Sequence, residues 1–154
     1  MNTKDMKNNI TTLLARPHAK TLLMAHFVAG YPTKKDSFKI AKALIDNGAG
    51  LLEIQIPFSD PMADGPTITQ ACSQALAQNI KVKDVLGMAK SLSKVSTIPL
   101  VLMSYANIVF NYGIVRFIKN AVLMYGTINI DSKQITPHKS MSSAFFLAIA
   151  KEKG

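Results

Sequence analysis

The stretch LLEIQIPFSDPMADGPT, residues 51–67, decides how the chain is read. Leu51, Leu52, Ile54 and Ile56 form an apolar run of strand length, and Pro57 closes it because proline has no N–H to give a sheet ladder. Ser59, Asp60, Pro61, Asp64, Gly65 and Pro66 are turn formers, so the strand predicts an exposed loop behind it that carries two carboxylates. Glu53 is a third carboxylate, set inside the apolar strand itself. Burying an unpartnered carboxylate is costly, so Glu53 is neutralised by a neighbour, sits at an end open to water, or is kept for chemistry.

Working outward, residues 21–29 read as a strand that is apolar on both sides of the pleat, as in a parallel sheet covered on both faces. His26 lies inside it and reads as a buried neutral histidine with a hydrogen-bond partner. Gly30, Tyr31 and Pro32 turn the chain. Thr33 then serves as N-cap with Asp36 three residues on, and Phe38, Ile40, Ala41, Ala43, Leu44 and Ile45 supply the buried stripe of a helix that Asn47 and Gly48 close. Strand, helix and second strand make a βαβ unit. Downstream, 69–76 and 82–92 read as helices, 98–103 as a third strand, 107–112 as a turn or short helix and 114–123 as an amphipathic helix; upstream, 5–14 reads as a weak helix. This (βα)3 pattern begins either a barrel or a doubly wound sheet.

The composition fits that class. A chain of 154 residues predicts one domain, and 48% hydrophobic with 18% charged residues is ordinary for a packed protein. The mean hydropathy of +0.16 has no single long apolar run behind it, so no membrane span is expected. Residues 1–7 are polar and carry no apolar leader core, and the lone Cys72 has no disulfide partner, which together predict a cytoplasmic protein. Cys72 falls in a predicted helix, where a free cysteine packs as a small hydrophobe. The net charge of +9 raises nucleic-acid binding, but the densest cluster, Lys34, Lys35, Lys39 and Lys42, has helical spacing and reads as a solvated face instead.

Three motifs carry a resemblance. The segment IPFSDPMADGPTITQA preceded by LLEIQ, with HFVAGYP at 26–32 and VLMSYANIVFNYG at 101–113, resembles the tryptophan synthase α subunit family in the family's own order. The resemblance implies an α/β fold, a partial (β/α)8 TIM barrel of about the first three to four βα units. It implies retro-aldol cleavage of indole-3-glycerol phosphate to indole and glyceraldehyde 3-phosphate, in tryptophan biosynthesis. Glu53 aligns with the family's catalytic glutamate, and its apolar neighbours Leu52 and Ile54 suit an acid that both gives and takes a proton. Asp64 aligns with the second catalytic carboxylate, placed to reach the indole N–H. Phe27, Met103 and Tyr105 match positions that line the indole pocket. Asp60, Pro61 and Met62 match the segment that meets the β subunit, and Asn107, which orients the adjoining loop, joins them as partner-facing. The expected assembly is α2β2, with no cofactor or metal on this chain, since pyridoxal phosphate belongs to the β subunit.

The plainer readings stand beside these: an ion-paired strand residue for Glu53, a turn residue bonding its own backbone for Asp64, and core packing for Phe27 and Met103. The chain also departs from the family. Gln55 stands where the family usually has glycine, and an amide there is expected to crowd the strand or alter what Glu53 touches. Residues 1–121 are family-like, 122–143 diverge, as a shifted reading frame would leave them, and 144–154 return as a family-like helix, AFFLAIAK; residues 127–130 are a weak strand candidate. A (β/α)8 barrel takes about 250 residues and holds phosphate on its later loops, so an impaired lyase is expected, with a non-catalytic half-barrel binding or assembly module as the alternative.

Overall fold

Three parallel strands, β1 (Met24–Val28), β2 (Leu51–Gln55) and β3 (Leu100–Tyr105), form the centre of the computed structural model. It describes residues 13–14, 21–61, 64–125, 127–129 and 144–150. Helix α1 (Lys34–Asp46) connects β1 to β2, α2 (Pro66–Ala77) and α3 (Val82–Val95) connect β2 to β3, and α4 (Ala106–Tyr112) and α5 (Ile114–Tyr125) follow β3. These are the βα units anticipated from the apolar pattern. The first strand is shorter than its apolar run, and the expected helix at 5–14 lies outside the described residues except for helical Leu13 and Leu14.

Local signals explain the element ends. The Thr33 hydroxyl oxygen accepts from the Asp36 N–H at 3.0 Å while donating to the Asp36 carboxylate at 2.8 Å, which satisfies an orphan donor at the start of α1. These contacts and the Lys39 ammonium hold the exposed Asp36 carboxyl below its ordinary range. Pro66 opens α2 at a position where its missing N–H costs nothing. At α3 the Asp84 carboxylate accepts from the Lys81 N–H at 2.9 Å and pairs with Lys34 at 3.2 Å. Burial pushes Asp84 up, but those two partners outweigh it and leave the carboxyl below its usual range.

Alternation along the strands sorts their side chains into two faces. Ala25, Phe27, Leu52, Ile54, Leu100 and Leu102 join Val85, Leu86, Leu92 and Phe117 of the helices in one apolar cluster. Each fully buried aliphatic side chain there contributes about 1.5–3 kcal/mol. Gly30 lies at the end of β1 with φ +91°, and a Cβ built on it would stand 2.6 Å from Ile80 Cδ1. The first turn therefore requires glycine, both for its backbone and for the close approach of the α2–α3 connection.

Beyond β3 the order changes. The full sheet reads β1-β2-β3-β5-β4, with β4 (Thr127–Asn129) and β5 (Ala144–Ala150) joined antiparallel and β5 antiparallel to β3 from Tyr105↔Ala144 to Leu100↔Ile149. The strand candidate near 127–130 is present as β4. The helix expected at 144–151 is instead a strand. A seven-residue apolar run, AFFLAIA, does not distinguish strand from helix by periodicity, and the unpaired edge of β3 offers it a row of backbone hydrogen bonds that a helix would leave unmade.

Candidate active site

The face of the sheet away from the helices carries a polar row. In the β1–β2 register His26 stands opposite Glu53 and Val28 opposite Gln55; in the β2–β3 register Glu53 stands opposite Val101 and Gln55 opposite Met103. Glu53 and Gln55, two apart on β2, share this face with His26, Met103 and, two further along β3, Tyr105. The loop after β2 leaves the carboxyl end of the strand and brings Asp64 back toward it. In (β/α)8 folds this end carries the chemistry.

The contacts link four side chains in series. Gln55 Nε2 donates to Asp64 Oδ2 at 2.8 Å, His26 Nε2 lies 2.8 Å from Gln55 Oε1, and the same His26 nitrogen is 4.0 Å from Glu53 Oε1. The Gln55 residue is 1% exposed, whereas the side chains of His26 and Glu53 are 31% and 11% exposed. His26 is therefore not the buried histidine expected from its apolar surroundings: strand alternation puts it on the open row. Glu53 has a partner in reach, as a carboxylate in an apolar strand requires. Among the described residues no buried side-chain nitrogen or oxygen lacks a hydrogen-bond partner.

The other expected site residues divide. Met103 and Tyr105 are buried on the Glu53 side, and the Tyr105 ring packs on Phe58 of the loop at a centroid distance of 4.8 Å. Phe27 stands opposite Ile54 in the register and belongs to the apolar cluster on the helix side, so it is not brought to Glu53. Asp60 is exposed and its carboxylate accepts from the Ser59 hydroxyl at 2.6 Å; Pro61 is buried, and Met62 lies outside the described residues. Asn107 is exposed at the start of α4, where its side-chain oxygen accepts from the Ile108 N–H at 3.0 Å.

Beneath the loop sits Cys72, fully buried on α2. Burial pushes its thiol up, the Phe58 backbone N–H opposes that, and the negative charge of Asp64 adds to it. A cavity of about 490 Å³ opens beside the same loop, lined by Pro57, Phe58, Ile80, Tyr112 and Arg116 among others; neither Glu53 nor Asp64 lines it. Sequence reasoning missed His26 and assigned Gln55 only a disruptive part. The available signal was the polar pair Glu53 and Gln55 at i, i+2 in an otherwise apolar strand, with a histidine in the strand before it.

Comparison with known proteins identifies the family. The family model described as "Tryptophan synthase alpha chain" matches residues 14–127. A tryptophan synthase alpha chain from Syntrophotalea carbinolica is 44% identical over 96 residues, covering 62% of this chain and 38% of that protein. Among solved structures, a chain from Aquifex aeolicus VF5 aligns with a TM-score of 0.69 at 37% identity, over 75% of this chain and 46% of its own. A tryptophan synthase complex from Pyrococcus furiosus aligns with a TM-score of 0.63 at 35% identity, over 67% of this chain and 42% of that one. The chain thus spans less than half the length of the relatives it matches.

Proposed function

The chain belongs to the tryptophan synthase alpha chain family, its three parallel βα units forming part of that family's (β/α)8 barrel, and on that premise we propose that Glu53 and Asp64 are the acid pair of an indole-3-glycerol-phosphate lyase. One observation carries the reading: the strand carboxyl and the loop carboxylate face the same side of the sheet and are joined through Gln55 and His26.

The reaction breaks the bond between indole C3 and the glycerol phosphate chain. Glu53 delivers a proton to C3, giving an indolenine cation, and then accepts the proton of the hydroxyl on the adjoining carbon. The C–C electron pair returns to the ring as that hydroxyl carbon becomes the aldehyde of glyceraldehyde 3-phosphate. Asp64 accepts a hydrogen bond from the ring N–H and stabilises the cation formed on the way. Met103 and Tyr105 supply apolar and aromatic wall on the same side. No cofactor is needed on this chain. The partner is a β subunit; one structural neighbour is a tryptophan synthase complex from Pyrococcus furiosus. The place of action is the cytoplasm. Among the described residues no helix is long and apolar enough to cross a membrane.

Indole release from indole-3-glycerol phosphate, measured on the full chain with a β subunit present, tests the proposal. Release that depends on Glu53 is expected; the same release from Glu53→Gln, or none from either protein, defeats it. A second reading, a half barrel serving as an assembly module, is favoured by the outer edge of β1, which pairs with no strand among the described residues. Dimerisation on gel filtration without Glu53-dependent release supports that reading.

A further inference from the structure

We propose that Gln55 is a positioning residue of this site, fixing the tautomer of His26 through its hydrogen bond to Asp64. The inference rests on the reading of Glu53 and Asp64 as the acid pair, but its geometry stands apart from it. An ionised carboxylate only accepts hydrogen bonds. The contact of Asp64 Oδ2 with Gln55 at 2.8 Å therefore sets the amide's orientation, NH2 toward Asp64 and carbonyl oxygen toward His26. That carbonyl oxygen also only accepts, so the His26 nitrogen 2.8 Å from it, Nε2, carries the hydrogen. The same nitrogen lies 4.0 Å from Glu53 Oε1. A chain of one acceptor, one amide and one imidazole thus ties the loop carboxylate to the side of the strand carboxyl.

Burial makes the orientation binding. Gln55 is 1% exposed, so turning the amide over would set its NH2 group against the hydrogen of His26 and its oxygen against Asp64, with little access to water in exchange. A glycine at this position, as the resemblance led one to expect, has no group to hold Asp64 or His26. The amide does not crowd the strand; it spans from the end of β2 to the loop and to β1 at once. Gln55 touches neither carbon of the bond to be broken in this scheme. It acts through the groups it holds.

The test is nitrogen NMR of the full chain labelled at histidine, with His26 assigned by the loss of its signals in His26→Asn, under alkaline conditions where imidazole is uncharged. Wild type is expected to show the Nε2–H form. Gln55→Met, of similar length but without the amide, is expected to move both ring nitrogens toward an average of the two tautomers. Asp64→Leu, which removes the acceptor that Gln55 Nε2 uses, is expected to do the same, and to add nothing in the Gln55→Met background. A purely structural part for Gln55 would not carry a change at Asp64 to His26. An Nδ1–H form in wild type, or an unchanged Nε2–H form in Asp64→Leu, overturns the proposal even if Gln55→Met does not fold. In the lyase assay Gln55→Met is expected to lower kcat about tenfold or more, with KM within about twofold, because small misplacements of an acid cost rate before they cost affinity. Unchanged kcat overturns the positioning part and leaves the lyase reading standing. Absence of any Glu53-dependent release defeats the lyase reading, and the tautomer still decides for or against Gln55.

Discussion

Leu52 and Ile54 face the helices at 0% exposure, while Glu53 and Gln55, interleaved with them on the same five-residue strand, face the other side among His26, Asp64 and Met103. On the first face contact is between hydrocarbon surfaces and tolerates any neighbour of suitable volume. On the second, the Gln55 amide has a specific partner at each end, Asp64 and His26. One strand therefore carries apolar packing and polar hydrogen bonding in alternate residues, and substitutions on the two faces should separate stability from the proposed activity.

The largest effect is expected from the apolar face. Phe117→Ala, at a side chain 1% exposed in the cluster, should lower unfolding stability by about 3–5 kcal/mol in urea titration. Glu53→Gln, one row away, should reverse the pattern. Indole release should fall about 10²–10⁴-fold while the urea midpoint moves by less than about 1 kcal/mol equivalent, since the amide keeps the shape of the carboxyl. A large stability loss in Glu53→Gln would erase the distinction between the faces. Away from both, Asp84→Ala removes the acceptor for the Lys81 N–H and should cost about 1 kcal/mol in the same titration.

The smallest effect sharpens the comparison through pH. Asp84 is held below the ordinary carboxylate range, so the folded form takes up its proton less readily than the unfolded chain does. Its contribution is complete above about pH 4 and is lost as pH falls through the lowered value. The pair is partly exposed and screened, so the stability difference between wild type and Asp84→Asn should stay below about 1 kcal/mol and vanish at the acid end. A difference that grows with acidity would contradict the assignment.

How much of this was legible in the residues follows from distance along the chain. The three βα units could be read because their signals are local: Thr33 and Asp36 cap α1 from three residues apart, and apolar periodicity marks the faces of α1, α3 and α5. The strand at 144–150 was not, because a short apolar run takes its form from the edge it meets. Glu53 and Asp64 stood out as carboxylates beside an apolar run. The His26–Gln55 contact spans 29 residues and depends on a strand register that no local pattern encodes. The row that Phe27 occupies was hidden for the same reason.

Cys72 gives the chain a built-in gauge of the loop that follows β2. The sulfur is sealed under Phe58 and is kept largely as thiol by its surroundings, so an alkylating reagent can modify it only in those moments when the cover lifts. Because the chain has one cysteine, the labelling rate would count those openings directly, without any reporter being introduced.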